Sequence, residues 1–284
     1  MNKQSVFGRG FIGGRFCELF PDDVILRDKG IIGSATPELL WFISTVTNYN
    51  VLDNVYIDID TNLTLTMKAL SYGKEMWGDE LVFNLISSWF IFGNTDVPAR
   101  ENSICNPNGF YGITAYCREQ LVRSYCQTFN ICFRIMRLAN VLGVGDKKIS
   151  KRKNALQYFV REIVNNRPVE LYWPSHTIRD YIYVDDVCQG INLVLSYKYS
   201  KNSIYNIGNG EPIAFEHCVD YVVNKTGNFD CVKHVDQSEF HKIVQTNVMY
   251  LDNTKLKRLG YKPTKNIWQI LDELIEYYER EKNG

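Results

Sequence analysis

The chain has 284 residues, of which 45% are hydrophobic and 23% are charged, so it is long enough to bury roughly three quarters of the surface that its unfolded form exposes. This composition excludes collagen-like, coiled-coil and wholly disordered proteins, and no apolar run is long enough to span a bilayer. Lys plus Arg number 32, as do Asp plus Glu, which leaves no basic excess for a nucleic-acid backbone. We therefore expect a globular protein whose partner is a small molecule, and neither a nucleic acid nor a membrane.

Short apolar runs alternate with helix-period segments through the first two thirds of the chain, which predicts a parallel sheet covered by helices on both faces. Beyond residue 143 the pattern loosens into basic loops, short strands and two helices. Strands are predicted at residues 4–7, 23–26, 39–44, 81–86 and 132–137, and helices at residues 11–19, 61–70, about 112–129, 216–224 and 267–279.

Only the segment DKGIIGSATPE separates the second predicted strand from the third. This is too short for a helix, another strand and their turns, so we predict that one βα unit is missing. The fold class is predicted to be α/β, with a doubly wound Rossmann sheet and a smaller C-terminal substrate-binding lobe. Residues 1–145 would form the shortened sheet domain, and residues 146–284 mainly the lobe, with some segments returning to the sheet.

The eight cysteines form no CxxC pair and no zinc-ligand spacing, and several lie inside apolar runs. This pattern is typical of reduced thiols in a core, and we predict no metal site. The first residues, MNKQSVFGRGFIGG, lack the apolar stretch and the small-residue cleavage site of a signal peptide. We therefore expect a cytoplasmic protein.

The segment Gly8-Arg9-Gly10-Phe11-Ile12-Gly13 follows the first strand and opens the first helix, which is where a GxGxxG turn binds a dinucleotide. Its glycines permit a tight turn and a close approach of the pyrophosphate, and the helix N-terminus offers unpaired N–H groups to the anion. A plain glycine-rich turn is the alternative. We predict that the residues of this segment bind NAD(P).

Arg27 and Asp28 end the second strand, where the adenosine ribose of a dinucleotide is recognised. An acid there favours NAD through the 2′-hydroxyl, whereas an arginine favours NADP through the 2′-phosphate. Arg27 and Arg9 shift the expectation slightly towards NADP, although either side chain could be a solvated loop charge.

A second group of polar residues lies at the end of the fourth strand and the start of the long helix. Ser88 ends an apolar strand, and Tyr111 opens the helix. A hydroxyl and a phenol in these positions can converge on one ligand atom as a donor and a proton shuttle. Taken singly, the serine is typical of a cap and the Tyr-Gly pair of a turn.

Eight segments in this order make the chain similar to a known family. It resembles the extended short-chain dehydrogenase/reductases, the NAD(P)-dependent epimerase/dehydratase group, over nearly its whole length. The resemblance implies a Rossmann domain that binds NAD(P) and a lobe that binds a nucleoside diphosphate sugar. The segments are GRGFIGG, DIDTNLTLTMKAL, LISSWFIFG, YGITAYCREQL, RLANVLGVG, TIRDYIYVDDV, YNIGNGEPI and LDNTKLKRLGYKP.

The resemblance to UDP-galactose 4-epimerase-like enzymes also implies roles for single residues. Tyr111 matches the acid/base tyrosine, which also contacts the cofactor, and Ser88 matches the hydroxyl that bonds the sugar O4. Arg179 matches an arginine that meets the diphosphate, the alternative being a salt bridge with a neighbouring aspartate, at position 180, 185 or 186. The other implied contacts are Asn62 for the cofactor and Trp89, Asn140, Asn154 and Ala155 for the nucleotide sugar.

Besides the missing βα unit, which shortens the cofactor domain, the chain departs from the family pattern in three ways. Ala115 stands where the family has a lysine, four residues after the tyrosine. The stretch from Gln245 to Asn247 lies near where many relatives carry a phosphate-binding arginine. Trp89 and Phe90 replace the acidic pair of the sugar 4,6-dehydratases, which argues against that reaction.

These features predict a nucleotide-sugar 4-epimerase or a 4-keto-sugar reductase. Because of Ala115, two alternatives stay open: a natural protein that binds NAD(P) or a nucleotide sugar with impaired catalysis, and an engineered Lys-to-Ala variant. Relatives commonly dimerise through the helix that bears the tyrosine, so we also expect a homodimer.

Overall fold

The computed structural model describes residues 3–26, 33–173 and 177–283. The strands of these ranges are, in chain order, β1 (Gln4–Phe7), β2 (Val24–Leu26), β3 (Glu38–Trp41), β4 (Val82–Ser88), β5 (Cys132–Leu138), β6 (Asn140–Leu142), β7 (Val169–Tyr172), β8 (Ile178–Arg179), β9 (Tyr181–Tyr183), β10 (Ser203–Ile207), β11 (Ile213–Ala214), β12 (Val232–Val235) and β13 (Val248–Met249).

The α-helices of the same ranges vary in length from 3 residues in α3 to 19 residues in α5. They are α1 (Phe11–Leu19), α2 (Asn50–Asp53), α3 (Tyr56–Asp58), α4 (Leu65–Trp77), α5 (Phe110–Thr128), α6 (Ala155–Val164), α7 (Val184–Ser196), α8 (Phe215–Thr226), α9 (Glu239–Val244), α10 (Thr254–Lys257) and α11 (Ile267–Asn283). A π-helical turn over Ile59–Thr64 joins α3 to α4.

The predicted doubly wound sheet is confirmed. Six parallel strands are ordered β10-β5-β4-β3-β1-β2, and β1 pairs with β2 on one side and with β3 on the other. The chain therefore reverses its winding direction at β1, and a ligand of such a sheet binds beyond the carboxyl ends of the strands at this reversal. The described part of the β2–β3 connection, residues 33–37, contains no helix.

Alternate residues of each central strand face opposite layers, because side chains alternate across a pleated sheet. Val6 and Leu40 pack with Phe16 of α1 and with α7, whereas Phe7 and Leu39 pack against α4 and α5. The strand sequences are apolar on both faces for this reason.

The second half of the chain divides between the sheet and the lobe. β10 adds to β5 at the edge of the sheet, and α7 packs on α1, where Arg15 forms a bidentate pair with Asp185 at 2.6 and 2.8 Å. The lobe has its own apolar core, formed mainly by α6, α8 and α11 with β7. The β6–β9 pair follows directly from the carboxyl end of β5, so the lobe is joined to the main sheet at that end.

Several helices and strands differ in length from their predicted bounds, and some were not predicted. The third strand was predicted to reach residue 44 but ends at Trp41, and the helix predicted at 61–70 continues to Trp77. The helices α6 and α7 were not predicted. In α7 the apolar periodicity of the sequence is interrupted by Gly190. A Cβ atom at this position would lie 3.0 Å from the side chain of Ile207, so glycine allows this helix to pack closely against β10.

Candidate functional site

The glycine-rich turn has the geometry that a pyrophosphate requires. Gly8 has φ +93°, and a Cβ atom on Gly13 would lie 2.1 Å from the carbonyl oxygen of Gly8, so both positions require glycine. A Cβ atom on Gly10 would meet no atom within 4 Å, which shows that the space above this residue is open. No side chain caps the N-terminus of α1. The turn therefore fits an anion held by the backbone N–H groups of the first helical turn.

The other predicted cofactor residues differ in whether they lie near the open space above the glycine-rich turn. Phe11 and Ile12 form the first turn of α1 and are partly buried, and Arg9 is exposed beside the open space. Arg27, on which the NADP preference depends, lies outside the described residues. Asn62 is fully buried, accepts hydrogen bonds from Ser44 Oγ and Thr45 N, and donates to two threonine hydroxyls. Its amide is thus used in holding the segment that follows β3 and in connecting it to Thr114 of α5.

A continuous set of ring contacts connects four residues at the carboxyl edge of the sheet. The Tyr111 ring packs edge-on against Phe90 with a centroid distance of 5.4 Å. Phe90 stacks on Trp89 at 4.0 Å, and the guanidinium of Arg179 lies 4.9 Å from the centre of the Trp89 ring. The fold therefore brings three predicted site residues together. Phe90 connects them, although the sequence identified it only as a departure from the dehydratase pattern.

Tyr111 and Ser88 each take part in a hydrogen bond between a backbone N–H and a side-chain oxygen. Tyr111 is 5% exposed, and its backbone N–H donates to Asn48 Oδ1 at 3.0 Å. Asn48 thereby holds the start of α5, a role that no motif in the sequence indicated. Ser88 ends β4 and is partly exposed, and its Oγ accepts a long bond of 3.4 Å from Phe90 N. Such a weak cap leaves this hydroxyl free to donate its own proton to a ligand.

Arg179 is not paired with any of the three aspartates that could have neutralised it. Asp180 accepts from backbone N–H groups, Asp185 pairs with Arg15, and Asp186 accepts from Thr264. Arg179 is 6% exposed, and its Nη1 donates to the carbonyl oxygens of residues 178 and 247. Burial lowers the pKa of Arg179 to about 10, so it is still charged at neutral pH.

The remaining residues predicted to bind the nucleotide sugar form local supports. Asn140 donates to the carbonyl oxygen of Asp180 at 3.1 Å. Asn154 has φ +55°, which asparagine tolerates well, and its side chain donates to the carbonyl oxygen of Val141. Ala155 begins α6 directly after it. These residues lie together where β6 enters the lobe.

Ala115 is completely buried in the core beside Tyr111. Three residues further along α5, Arg118 is also buried, and the sequence gave no reason to single it out. Its guanidinium donates to the carbonyl oxygens of Ile43 and Ile86 at 3.1 and 3.2 Å, while its Nε has no hydrogen-bond partner. Burial lowers the pKa of Arg118, whereas the charges of Tyr111 and Glu119 raise it.

Comparison with known proteins places this site in a family. Residues 32–208 match the model of the NAD dependent epimerase/dehydratase family. The putative UDP-glucose 4-epimerase of Methanocaldococcus jannaschii is 25% identical over 229 residues, which are 80% of this chain and 72% of that protein. The dTDP-4-dehydro-6-deoxyglucose reductase of Escherichia coli is 26% identical over 200 residues, which are 70% of this chain and 61% of that protein.

Solved structures show the same fold. The UDP-glucose 4-epimerase of Thermotoga maritima, solved with UDP-glucose, superposes with a TM-score of 0.85 at 19% identity and covers 99% of both chains. RMD from Pseudomonas aeruginosa, solved with NADPH, has a TM-score of 0.84 at 17% identity and covers 99% of this chain and all of its own. In the part of this chain that the structure describes, no helix is long and apolar enough to cross a membrane.

Proposed function

Because the chain belongs to the NAD dependent epimerase/dehydratase family, we propose that it acts on C4 of a nucleoside diphosphate sugar with NAD(P), either as a 4-epimerase or as a 4-keto-sugar reductase. The observation that carries this proposal is the contact series from Arg179 through Trp89 and Phe90 to Tyr111. It puts a buried cation for the diphosphate and a phenol for the sugar hydroxyl on one surface.

Each end of this surface has a chemical task. Arg179 binds the diphosphate, because a guanidinium pairs two phosphate oxygens at once. Tyr111 takes the proton of the 4-hydroxyl when C4 is oxidised and returns it when the ketone is reduced, while Ser88 donates a hydrogen bond to O4. Asn140, together with Asn154 and Ala155, contacts the nucleotide sugar at the lobe.

The glycine-rich turn holds the cofactor in this proposal. Gly8, Gly10 and Gly13 shape the cradle, and the N–H groups of Phe11 and Ile12 face the pyrophosphate. Bound NAD(P) supplies the acceptor and donor of hydride for C4. With Arg9 beside the turn, Arg27 favours NADP, and the ratio of the dissociation constants of NADPH and NADH measures this preference.

We further propose a homodimer formed through α4 and α5. Their outer faces expose the apolar side chains of Tyr72, Met76, Ile113 and Leu121, which a dimer would cover. Sedimentation equilibrium measures the assembly state. We also assign the protein to the cytoplasm, since all eight of its cysteines are free.

A Gly10→Val substitution tests the cofactor site directly. Because the space above Gly10 is open and its φ is −78°, valine fits the free protein but occupies the volume of the pyrophosphate. We expect NADPH and NADH binding to be lost, measured by fluorescence titration, with little change in melting temperature. Gly13→Ala is the matched control, since it should destabilise the fold through its contact with Gly8. Unchanged binding in Gly10→Val would contradict the assignment.

A mass-spectrometric turnover screen with UDP-, GDP-, CDP- and dTDP-sugars tests the reaction. A changed sugar without net cofactor use indicates an epimerase, and stoichiometric oxidation of NADPH by a 4-keto sugar indicates a reductase. The second candidate, favoured by Ala115, is a protein that binds NAD(P) or a nucleotide sugar with catalysis impaired, whether the alanine is natural or an engineered replacement of lysine. Binding without turnover of any sugar would support it.

A further inference from the structure

Arg118 is a buried cation that lacks an anionic partner in the described ranges. It is 1% exposed, and its terminal nitrogens meet two backbone carbonyls at the carboxyl ends of β3 and β4. Its Nε is buried without a hydrogen-bond partner. A buried charge is costly unless it is paired, so an anion beside Arg118 would stabilise its charged form.

Tyr111, Ala115 and Arg118 share one face of α5. Residues separated by four and seven positions lie on the same side of an α-helix, and all three are buried. Long helical side chains point back towards the helix N-terminus and cover the preceding turn. An arginine at position 118 can therefore cover the turn of Ala115, where the small side chain of alanine leaves room. Its guanidinium ends at the carbonyls of Ile43 and Ile86, within range of the charge of Tyr111.

Tyr111 and Glu119 are the groups whose charges act on Arg118, and Glu119 already has a partner. Glu119 is bound by Arg137 in a bidentate pair, with a closest distance of 2.8 Å. Asp58, which directly precedes the π-helical turn packed against α5, accepts hydrogen bonds from Thr45 and Asn50 through Oδ1 only, and its Oδ2 is buried without a hydrogen-bond partner. Its charge is not among those that act on Arg118, which are those of Tyr111 and Glu119. Tyr111 is therefore the nearby group that can present a free negative charge to Arg118.

We propose that Arg118 is a positioning residue that stabilises the anionic form of Tyr111, and so replaces the cation that position 115 lacks. The inference rests on the proposed function, in which Tyr111 accepts the proton of the sugar hydroxyl. A phenol ionises near pH 10 in water, and a cation within a few ångströms in a buried site favours the charged form. If so, the cation that acts on Tyr111 lies at position 118 and not at position 115, and the protein is an active enzyme despite Ala115.

The competing explanation is that Arg118 only ties β3 to β4 through the carbonyls of Ile43 and Ile86. Arg118→Met, which keeps most of the side-chain length, removes both the charge and this tie. If the charge acts on Tyr111, the rise of kcat with pH moves to higher pH by about one unit or more, which is about a tenfold loss at neutral pH. A purely structural role would lower kcat equally at every pH.

Adding a lysine at position 115 separates the two explanations further. If Arg118 supplies the charge, Ala115→Lys alone gains less than about tenfold in kcat, and Ala115→Lys combined with Arg118→Met restores most of what Arg118→Met loses. If the site is impaired, Ala115→Lys alone raises kcat by about 10²-fold or more, the size of a positioned acid–base effect. That result would overturn the proposal. Arg123→Met is the control, because it removes an equal charge from the same helix.

A titration without substrate separates failure of this inference from failure of the proposed reaction. The phenolate absorbance of Tyr111 is obtained by subtracting the pH titration of Tyr111→Phe from that of the intact protein. We expect its midpoint to move to higher pH in Arg118→Met and to stay in place in Arg123→Met. An unmoved midpoint in Arg118→Met would refute the role of Arg118, even if a sugar is turned over. A moved midpoint without any turnover would retain that role and refute the reaction.

Discussion

Buried arginines at the two ends of the main strands differ in their partners, apart from Arg137 of β5, which pairs with Glu119. Near the amino-terminal edge, Arg134 donates to Glu38 at 3.2 Å and to Asn84 at 2.8 Å, and its Nε donates to Ser200 at 2.6 Å. Beyond the carboxyl edge, Arg118 and Arg179 donate to backbone carbonyls and form no ion pair with any described carboxylate. A paired buried charge maintains the fold, whereas an unpaired one at a ligand-binding edge is available to an anion.

The largest expected effect is on stability, from breaking the pair at the amino-terminal edge. Arg134→Met leaves Glu38 buried without its cation, which should cost about 3–5 kcal/mol of the free energy of unfolding. Urea denaturation measures the loss. Combining it with Glu38→Leu removes both charges and should recover much of that energy. A loss below about 1 kcal/mol in the single variant would mean that this pair contributes no more than a surface ion pair.

The next largest effect is on binding, from removing the unpaired charge at the lobe. Arg179→Met deletes a charge-assisted contact of about 1.5–3 kcal/mol, so KM for the nucleotide sugar and Kd for UDP should rise about 10- to 150-fold. We expect kcat to fall less, because ground and transition states share this contact. Arg100→Met, at an exposed ion pair, should leave both constants unchanged. An unchanged Kd for UDP in Arg179→Met would show that Arg179 does not bind the diphosphate and has only a structural role.

The smallest expected effect concerns His241 of α9, whose Nδ1 lies 3.0 Å from the Tyr49 hydroxyl. Burial and, secondarily, the charge of Arg179 lower the pKa of His241. The unfolded chain therefore binds this proton more readily, so the stability contribution is present above about pH 6.5 and is lost as the pH falls. The loss should be about the value of one hydrogen bond, 0.5–1.5 kcal/mol.

Thermal denaturation between pH 7 and pH 5 measures this dependence. His241→Gln should reduce it, because glutamine does not take up the proton. Arg179→Met should reduce it as well, by removing the neighbouring charge. A pH dependence that is identical in all three proteins would show that His241 is not its source.

Much of the fold was predictable because its signals are local. The glycine turn, the first strand and the first helix were placed at their observed bounds, since apolar periodicity and glycine positions act within a few residues. The helix α7 was not predicted, because Gly190 interrupts its apolar periodicity. The need for glycine at this position comes from close packing against β10, which no local pattern shows.

The candidate site was predictable only where residue type and position along a strand or helix carry the information. Ser88 and Tyr111 were identified from their places at the end of β4 and the start of α5. The contacts of Phe90 and Asn48 with Tyr111 were not predicted, since they span 21 and 63 positions of the chain. No local pattern reports such a distance.

The sequence by itself determined that a glycine-rich turn, an apolar parallel sheet and polar residues at strand ends occur along this chain. Only the tertiary structure decided which charges are paired. Arg134 and Glu38 are 96 positions apart, and they meet because β3, β4 and β5 are neighbours in the sheet. Arg179 lies next to Asp180 in the chain, yet that carboxylate faces other backbone N–H groups. Hydrophobic periodicity is a local property, whereas the pairing of charges depends on strand order and on the direction of each side chain.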